Sequence, residues 1–209
     1  MVDRQLRKRG IDDERVLEAM RRVRRECFVA PGWSGRAYDD AALPIGYEQT
    51  ISQPYMVARI CAELALRGDE RVLDVGTGSG YQAAVLAELA GEVHSIERVA
   101  ELADRAESVL VESGYADRVH VHVGDGTVGL PDLAPFDAIA VAAAAPDLPR
   151  ALYEQLENGG RLAVPIGDRN GQRLHLIVRS PEGAAVLRTV SCRFVPLVGA
   201  EGFAQHQPG

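Results

Sequence analysis

The segment Val72-Leu73-Asp74-Val75-Gly76-Thr77-Gly78-Ser79-Gly80-Tyr81 constrains this chain more than any other. A short apolar run, the pattern of a strand covered on both faces, ends in three alternating glycines. Gln82-Ala83-Ala84-Val85-Leu86-Ala87-Glu88-Leu89 then opens a helical pattern. Glycine at 76, 78 and 80 lets the backbone turn tightly and lets a ligand approach where a Cβ would collide. The unpaired N–H groups of the helix start face the same place. Strand, glycine turn and helix in that order begin a doubly wound α/β sheet. A dinucleotide fingerprint would put its third glycine at 81, where Tyr81 stands. That glycine lets the helix pack closely beside a pyrophosphate. Its absence argues against an NAD-type ligand and for a nucleoside without phosphates.

Two downstream strand ends supply the partners such a ligand needs. Glu92-Val93-His94-Ser95-Ile96-Glu97 reads as the next strand. It ends in a carboxylate about twenty residues after the glycines, the distance at which a ribose diol is caught. Arg118-Val119-His120-Val121-His122-Val123 runs into Gly124-Asp125-Gly126, where a short acidic side chain can accept from an adenine amino group. Singly, the loop fits a tight turn in another doubly wound fold, Glu97 a solvated strand end and Asp125 a turn former. Together, at the ends of three successive strands, they favour S-adenosylmethionine as the cofactor. The candidate cofactor-binding residues are Asp74, Gly76, Thr77, Gly78, Gly80, Glu97, Asp125 and Gly126.

The 209 residues suffice for one α/β domain with a substantial core and leave little room for a second. Hydrophobic residues at 46% and charged ones at 25% place the chain among ordinary globular proteins. No apolar run reaches membrane-spanning length and the N-terminus lacks the apolar core of a secretory signal, so no membrane partner is expected. Cys27, Cys61 and Cys192 are odd in number and lack metal-ligand spacing. They read as small buried residues of a reducing compartment, which predicts a cytoplasmic protein without a metal. A formal charge of -7 disfavours nucleic acid as a partner. Arg4, Arg7, Lys8, Arg9, Arg21, Arg22, Arg24 and Arg25 make the N-terminal segment locally basic. With Val16, Met20 and Val23 as an apolar stripe between them, they read as a solvated helix face; an RNA-binding surface is the weaker alternative.

No internal repeat or low-complexity linker divides the chain. A helix is predicted over 12–26, with Asp12 as N-cap and Ile11 and Val16 in staple positions. Residues 27–53, broken by Pro31, Gly32, Pro44 and Gly46, read as an irregular functional loop. A helix starts near Pro54, buries Val57, Ile60, Cys61 and Leu64, and stops at Gly68. Strands are then expected near 71–75, 92–97, 118–123, 136–141 and 161–166, and helices near 80–90, 99–113 and 147–157. Residues 172–179 and 185–195 read as a hairpin turning at Pro181-Glu182-Gly183, and Asn170-Gly171 before it as an exposed, mobile turn. The expected architecture is α/β: a doubly wound, mostly parallel sheet with an antiparallel C-terminal edge and an N-terminal helical extension. It is read as one domain over 1–209: N-terminal helices and active-site loop in 1–68, cofactor core in 69–170, hairpin and tail in 171–209. Ligands of such sheets bind outside the carboxyl ends of the strands, where the glycines, Glu97 and Asp125 fall.

The segment from Asp40 to Ala58, centred on Gln49-Thr50-Ile51-Ser52-Gln53-Pro54, is more specific than the glycine loop. With Phe136-Asp137-Ala138-Ile139, the run from Gly159 to Gly167 and Arg193-Phe194-Val195-Pro196-Leu197-Val198, it resembles the protein-L-isoaspartate O-methyltransferases, in their order and over nearly the whole chain. The resemblance implies a Rossmann-like, class I S-adenosylmethionine-dependent methyltransferase whose last two sheet strands are exchanged in order. It implies methyl transfer to the free α-carboxylate of L-isoaspartyl residues in damaged proteins and peptides, which opens repair through a succinimide. Ser52 matches the active-site hydroxyl, Gly76, Gly78 and Gly80 the cofactor loop, Glu97 the ribose acid, and Asp125-Gly126 the adenine-side turn. A monomer is expected. One departure is Ala142-Ala143-Ala144-Ala145-Pro146, where the family often shows a Thr or Ser before its Ala-Ala-Pro.

The chemistry asks little of the protein. An isoaspartyl α-carboxylate, with an intrinsic pKa of about 3.5, is already a nucleophile at neutral pH. No general base is needed, and His94, His120, His122 and His175 read as core or edge residues of strands. Carboxylate and sulfonium charges cancel in the transition state, so water exclusion and alignment remain. A hydroxyl at Ser52 can align the attacking oxygen, whereas a cation would stabilise the reactant and raise the barrier. On spacing alone Ser52 is a cap ahead of Pro54, and both roles can coexist if the hydroxyl alternates partners. Competing readings are a dedicated peptide substrate, a catalytically silent nucleoside-binding regulator and an NAD-linked oxidoreductase. The presence of Ser52 with the full cofactor set opposes the regulator, and Tyr81 opposes the oxidoreductase.

Overall fold

The computed structural model describes residues 1–168 and 170–204. In chain order its main elements are α1 (Glu14–Arg22), a hairpin of β1 (Leu43–Gly46) and β2 (Gln49–Ile51), α2 (Pro54–Leu64), β3 (Arg71–Val75), α3 (Tyr81–Ala87), β4 (Glu92–Glu97) and α4 (Ala100–Glu112). There follow β5 (Val119–Val123), β6 (Phe136–Val141), α5 (Arg150–Glu154), β7 (Leu156–Gly167), β8 (Gln172–Ser180) and β9 (Gly183–Cys192). Among the described residues, seven strands form one sheet in the order β5-β4-β3-β6-β7-β8-β9. β3 to β7 run parallel, and β8 and β9 complete an antiparallel edge. The last three strands lie side by side in chain order, the exchanged order that the resemblance implies.

Alternation along the strands divides the core between two faces. Val72, Ala138, Ala140 and Ala163 face the side that carries the N-terminal segment and α1 to α4. Leu73, Val75, Ile139, Val141, Leu162 and Val164 face the other, with Leu152 of α5 and Leu197. The three alanines let α2 lie close against β6 and β7. α5 is shorter than the expected 147–157 because Pro149 stands at its cap and the Gln155 side chain turns away to bond the backbone of Val128 and Leu130 at 2.8 Å each. No helix among the described residues is long and apolar enough to cross a membrane.

The N-terminal half departs most from its sequence pattern. The first nine residues already wind helically and bury Val2 and Leu6. The N-cap of α1 is Asp13, not Asp12: its carboxylate accepts from Arg15 N–H at 2.9 Å and Val16 N–H at 3.3 Å. α1 stops at Arg22 rather than 26 because the chain turns inward to bury Arg25. That guanidinium is no part of a solvated face. Its Nε donates to the Ala37 carbonyl at 2.7 Å and it lies 4.8 Å from the Tyr81 ring centre. α2 ends at Ala65, left-handed at φ 47, three residues before the expected Gly68. Tyr47 and Glu48 make the β1–β2 turn at φ 52 and 58, where hairpins ordinarily carry Asn-Gly, so the sequence holds no hairpin signal there. Of the cysteines only Cys61 is buried; Cys192 is half-buried and Cys27 exposed. The Asn170-Gly171 turn, expected to be mobile, is tied by Asp168, whose Oδ1 accepts from both backbone N–H groups at 2.8 and 3.2 Å.

Asp13→Ala should lower stability by about 1 kcal/mol in urea unfolding, the usual value of an N-cap. Asp12→Ala should stay within about 0.5 kcal/mol of wild type. Equal effects would return the cap to Asp12.

Candidate active site

At the carboxyl ends of β3, β4 and β6 the sheet opens onto a cavity of about 730 Å³. Its floor is the glycine turn. Gly76, Gly78 and Gly80 all have positive φ (93, 54 and 86), backbone that L side chains rarely adopt. Gly76 and Gly78 line the cavity, but Gly80 does not, since it packs α3 against α4, where an added Cβ would meet Leu110 Cγ at 3.2 Å. Gly76 N–H donates to the Ile96 carbonyl at 2.9 Å and Gly78 N–H to Glu97 Oε2 at 2.9 Å, which joins the turn to the end of β4. The other oxygen of Glu97 accepts from Val99 N–H at 3.0 Å. Each oxygen keeps a second lone pair, and the carboxylate lies on the cavity wall. Gly126 is also on the wall, where an added Cβ would sit 2.8 Å from Val75 Cγ1.

Below the turn lies a buried polar network. Asp74 accepts from Gln82 Nε2 at 2.8 Å and from Ser95 Oγ at 2.7 Å, and Ser95 shares a 2.6 Å bond with Thr77 Oγ1. Asp74 is fully enclosed and does not reach the cavity, whereas Thr77 and Gln82 do. The sequence reading missed Gln82. Because Asp74 only accepts, the amide must turn its nitrogen down, which leaves Gln82 Oε1 buried, without a partner, on a residue that lines the cavity. Asp125 is off the wall as well. Its Oδ1 accepts from Thr127 N–H and Oγ1 at 2.8 and 2.6 Å, and its Oδ2 from Ala200 N–H at 2.7 Å. It fastens the C-terminal segment over the end of β5, with Gly126 beside it on the cavity wall.

A second cavity of about 840 Å³ adjoins the first, and the two share Thr50, Ser52, Ala142 and Val195. Ser52 does not cap α2. The cap residue is Gln53, without a side-chain bond, and Tyr55 N–H is taken by Asp40 Oδ1 at 3.2 Å. Asp40 is itself paired with Arg9, so the N-terminal segment does the capping and the Ser52 hydroxyl is unbonded among the described residues. Ala142 and Ala143 present methyl groups to the first cavity, so this loop offers no hydroxyl. Pairing of Ala144 with Val195 and Leu197 (2.8 and 2.7 Å) brings the C-terminal segment to the same wall.

A family profile described as protein-L-isoaspartate(D-aspartate) O-methyltransferase matches residues 1–202. The chain belongs to the protein-L-isoaspartate O-methyltransferase family. It is 54% identical over 203 residues to protein-L-isoaspartate O-methyltransferase 1 of Syntrophobacter fumaroxidans, covering 97% of this chain and 94% of that one. With a protein-L-isoaspartate O-methyltransferase of Rhodopseudomonas palustris it shares 50% identity over 210 residues, covering 100% of this chain and 96% of that one. Among solved structures it is similar to a Plasmodium falciparum protein-L-isoaspartate O-methyltransferase in complex with S-adenosyl-L-homocysteine. That match has a TM-score of 0.82 at 28% identity, covering 92% and 94% of the two chains.

Burial pushes the Asp74 carboxyl up to about 6, with the nearby Glu97 adding to the rise, although the bonds from Gln82 and Ser95 oppose it. The folded value lies above the unfolded one, so its stabilising contribution is complete below about pH 3.9 and is lost as pH rises through 6. The stability advantage of wild type over Asp74→Asn should therefore grow by about 1 kcal/mol from pH 7 to pH 5. Thermal unfolding of both proteins checks this, since the other titrating groups are common to both. A gap that does not change with pH would mean Asp74 does not titrate in this range.

Proposed function

We propose that this protein moves the methyl group of S-adenosylmethionine to the free α-carboxylate of L-isoaspartyl residues in damaged proteins and peptides. The observation that carries the reading is the unbonded Ser52 hydroxyl where the two cavities meet. One cavity has the features of a nucleoside site, and the other opens to solvent beside the loop that leads into α2.

The first cavity fits the cofactor on its own chemistry. Gly76 and Gly78 hold positive φ that a side chain would strain, and Gly126 lets the chain pass Val75, whose Cγ1 an added Cβ would meet at 2.8 Å. Glu97 would take the ribose diol on its spare lone pairs, and the Asp125-Gly126 turn would border the adenine. Gln82 Oε1 needs a donor, and the cofactor's α-ammonium is the strongest it carries. When bound, S-adenosylmethionine supplies a methyl group on a sulfonium, open to in-line displacement.

Ser52 would donate one hydrogen bond to the substrate carboxylate and hold its second oxygen on that line. A neutral donor suits this task, because it orients the anion without opposing the loss of its charge. Among the described residues no histidine lines either cavity, and none is needed for a nucleophile that ionises near pH 3.5. Val57, Ile96, Ala142, Ala143 and Leu197 exclude water around the reacting atoms. The resulting ester has a better leaving group than a carboxylate. The following backbone nitrogen then closes on it, releases methanol and forms the succinimide, whose hydrolysis returns some normal aspartate. In the same proposal residues 1–209 act as one domain and as a cytoplasmic monomer. Its net charge of -7 supports protein rather than nucleic acid as its partner.

Labelled S-adenosylmethionine with paired peptides, differing only in isoaspartate against aspartate, tests the reading: label should enter the first alone. Equal labelling of both, or of neither, would overturn it. Ser52→Ala should lower turnover about 10- to 100-fold, the worth of one bond to a charged group, with cofactor affinity unchanged in calorimetry. A collapse of cofactor affinity instead would make Ser52 structural. Glu97→Gln should weaken cofactor binding by about 1.5–3 kcal/mol. Unchanged affinity would reduce Glu97 to a brace for Gly78.

A further inference from the structure

Among the described residues the second cavity carries one charged side chain, Arg193. Its other walls are uncharged, with Ala42, Gln53, Met56 and Phe194 alongside the four residues shared with the first cavity. The backbone beside Arg193 is firmly held. Gln172 bonds Phe194 in both directions, accepting from its N–H at 2.6 Å and donating to its carbonyl at 3.2 Å. Two residues on, Val195 and Leu197 pair with Ala144. The guanidinium, by contrast, has no hydrogen bond or ion pair among the described residues. Among the described residues the exposed side chains of Arg4, Arg67, Arg98 and Arg188 also lack such a bond, but Arg98 lines the first cavity and the other three line neither, so Arg193 is the arginine that faces the second.

We propose that Arg193 is a specificity residue that favours isoaspartyl sites flanked by an acidic side chain. The inference rests on the reading of the two cavities as cofactor and substrate sites. Arg193 lines the second cavity only, while Ser52 stands at the junction. The reacting carboxylate belongs at the junction, so the arginine meets what lies beside it in the substrate chain. The reaction itself argues the same way: a cation on the reacting carboxylate would hold back charge cancellation, whereas a cation on a neighbouring carboxylate is neutral to the chemical step. On a protein of charge -7, a fixed cation at the substrate mouth also offsets repulsion of acidic segments.

The test uses one isoaspartyl peptide sequence with Glu, Gln or Lys next to the isoaspartyl residue, placed on its N-terminal or its C-terminal side. Wild type should show KM lower for Glu than for Lys by about 5-fold on at least one side, with similar kcat, and the ratio should shrink in 0.5 M salt (about a 4 Å screening length). In Arg193→Gln that ratio should fall towards one, and in Arg193→Glu it should invert. No ranking in wild type on either side, or a ranking preserved in Arg193→Gln, would overturn the proposal. So would a loss in Arg193→Gln that is equal on all peptides and falls on kcat. The Gln-flanked peptide separates this failure from that of the parent reading. If wild type methylates it without any charge ranking, only the role of Arg193 fails; if it is not methylated at all, the isoaspartyl reading fails.

Discussion

The glycine turn depends on one buried carboxylate. Asp74, next to last in β3, is fully buried, so both of its oxygens must be met from within, by Gln82 Nε2 and Ser95 Oγ. Those bonds set the direction of three elements. Gln82 is drawn down, which orients the first turn of α3. Ser95 is held on β4 and in turn fixes Thr77 within the glycine turn. Two residues further along β4, Glu97 takes Gly78 N–H from the other side. The positive-φ glycines are therefore braced from below and from the flank, and the space above them stays open for a ligand.

The sheet core was legible because its signals are local. Val72 to Val75 ends in glycine, Glu92 to Glu97 in a carboxylate, and Phe136 to Val141 begins after Pro135, and these short strand patterns match β3, β4 and β6. Pro181-Glu182-Gly183 marked the β8–β9 turn for the same reason. The N-terminal region was less legible because tertiary contacts override local preference there. Arg25 is charged by sequence and buried by structure, since Tyr81 and the Ala37 carbonyl receive it. The β1–β2 turn has Tyr47 and Glu48 in left-handed backbone, held from outside by Arg105, which bonds the Ile45 carbonyl at 3.2 Å and stacks on Tyr47.

The candidate site was legible in its residue types and less so in their contacts. Gly76, Gly78, Thr77, Glu97, Gly126 and Ser52 all come to the cavity wall, whereas Gly80 faces Leu110 and Ala106 of α4. Asp74 and Asp125 instead act one layer back, the first under the turn and the second as an anchor for the C-terminal segment. The cap-or-catalysis ambiguity of Ser52 could not be resolved from spacing, because the competing cap comes from Asp40 and reaches Tyr55 N–H only in three dimensions. Gln82 did leave a trace: it is the lone polar residue in the otherwise apolar α3 run Tyr81–Ala87, and a buried amide in such a helix demands partners.

Tyr81 links these threads. As a non-glycine after the Gly-x-Gly-x-Gly turn it first served to exclude a pyrophosphate ligand. Its ring is buried, edge-on to Phe28 at 5.6 Å and under the Arg25 guanidinium, and its hydroxyl lies 3.7 Å from Met20 Sδ. Each of these partners belongs to the N-terminal extension. The residue that closes the helix start to a dinucleotide is thus the one that fastens the extension to α3. The extension in turn caps α2 through the Arg9–Asp40 pair and so leaves the Ser52 hydroxyl unclaimed. Closure of the helix start by Tyr81 and the lack of a partner for the Ser52 hydroxyl among the described residues are two ends of one packing arrangement, built by the segment before β3 as a further layer on the sheet.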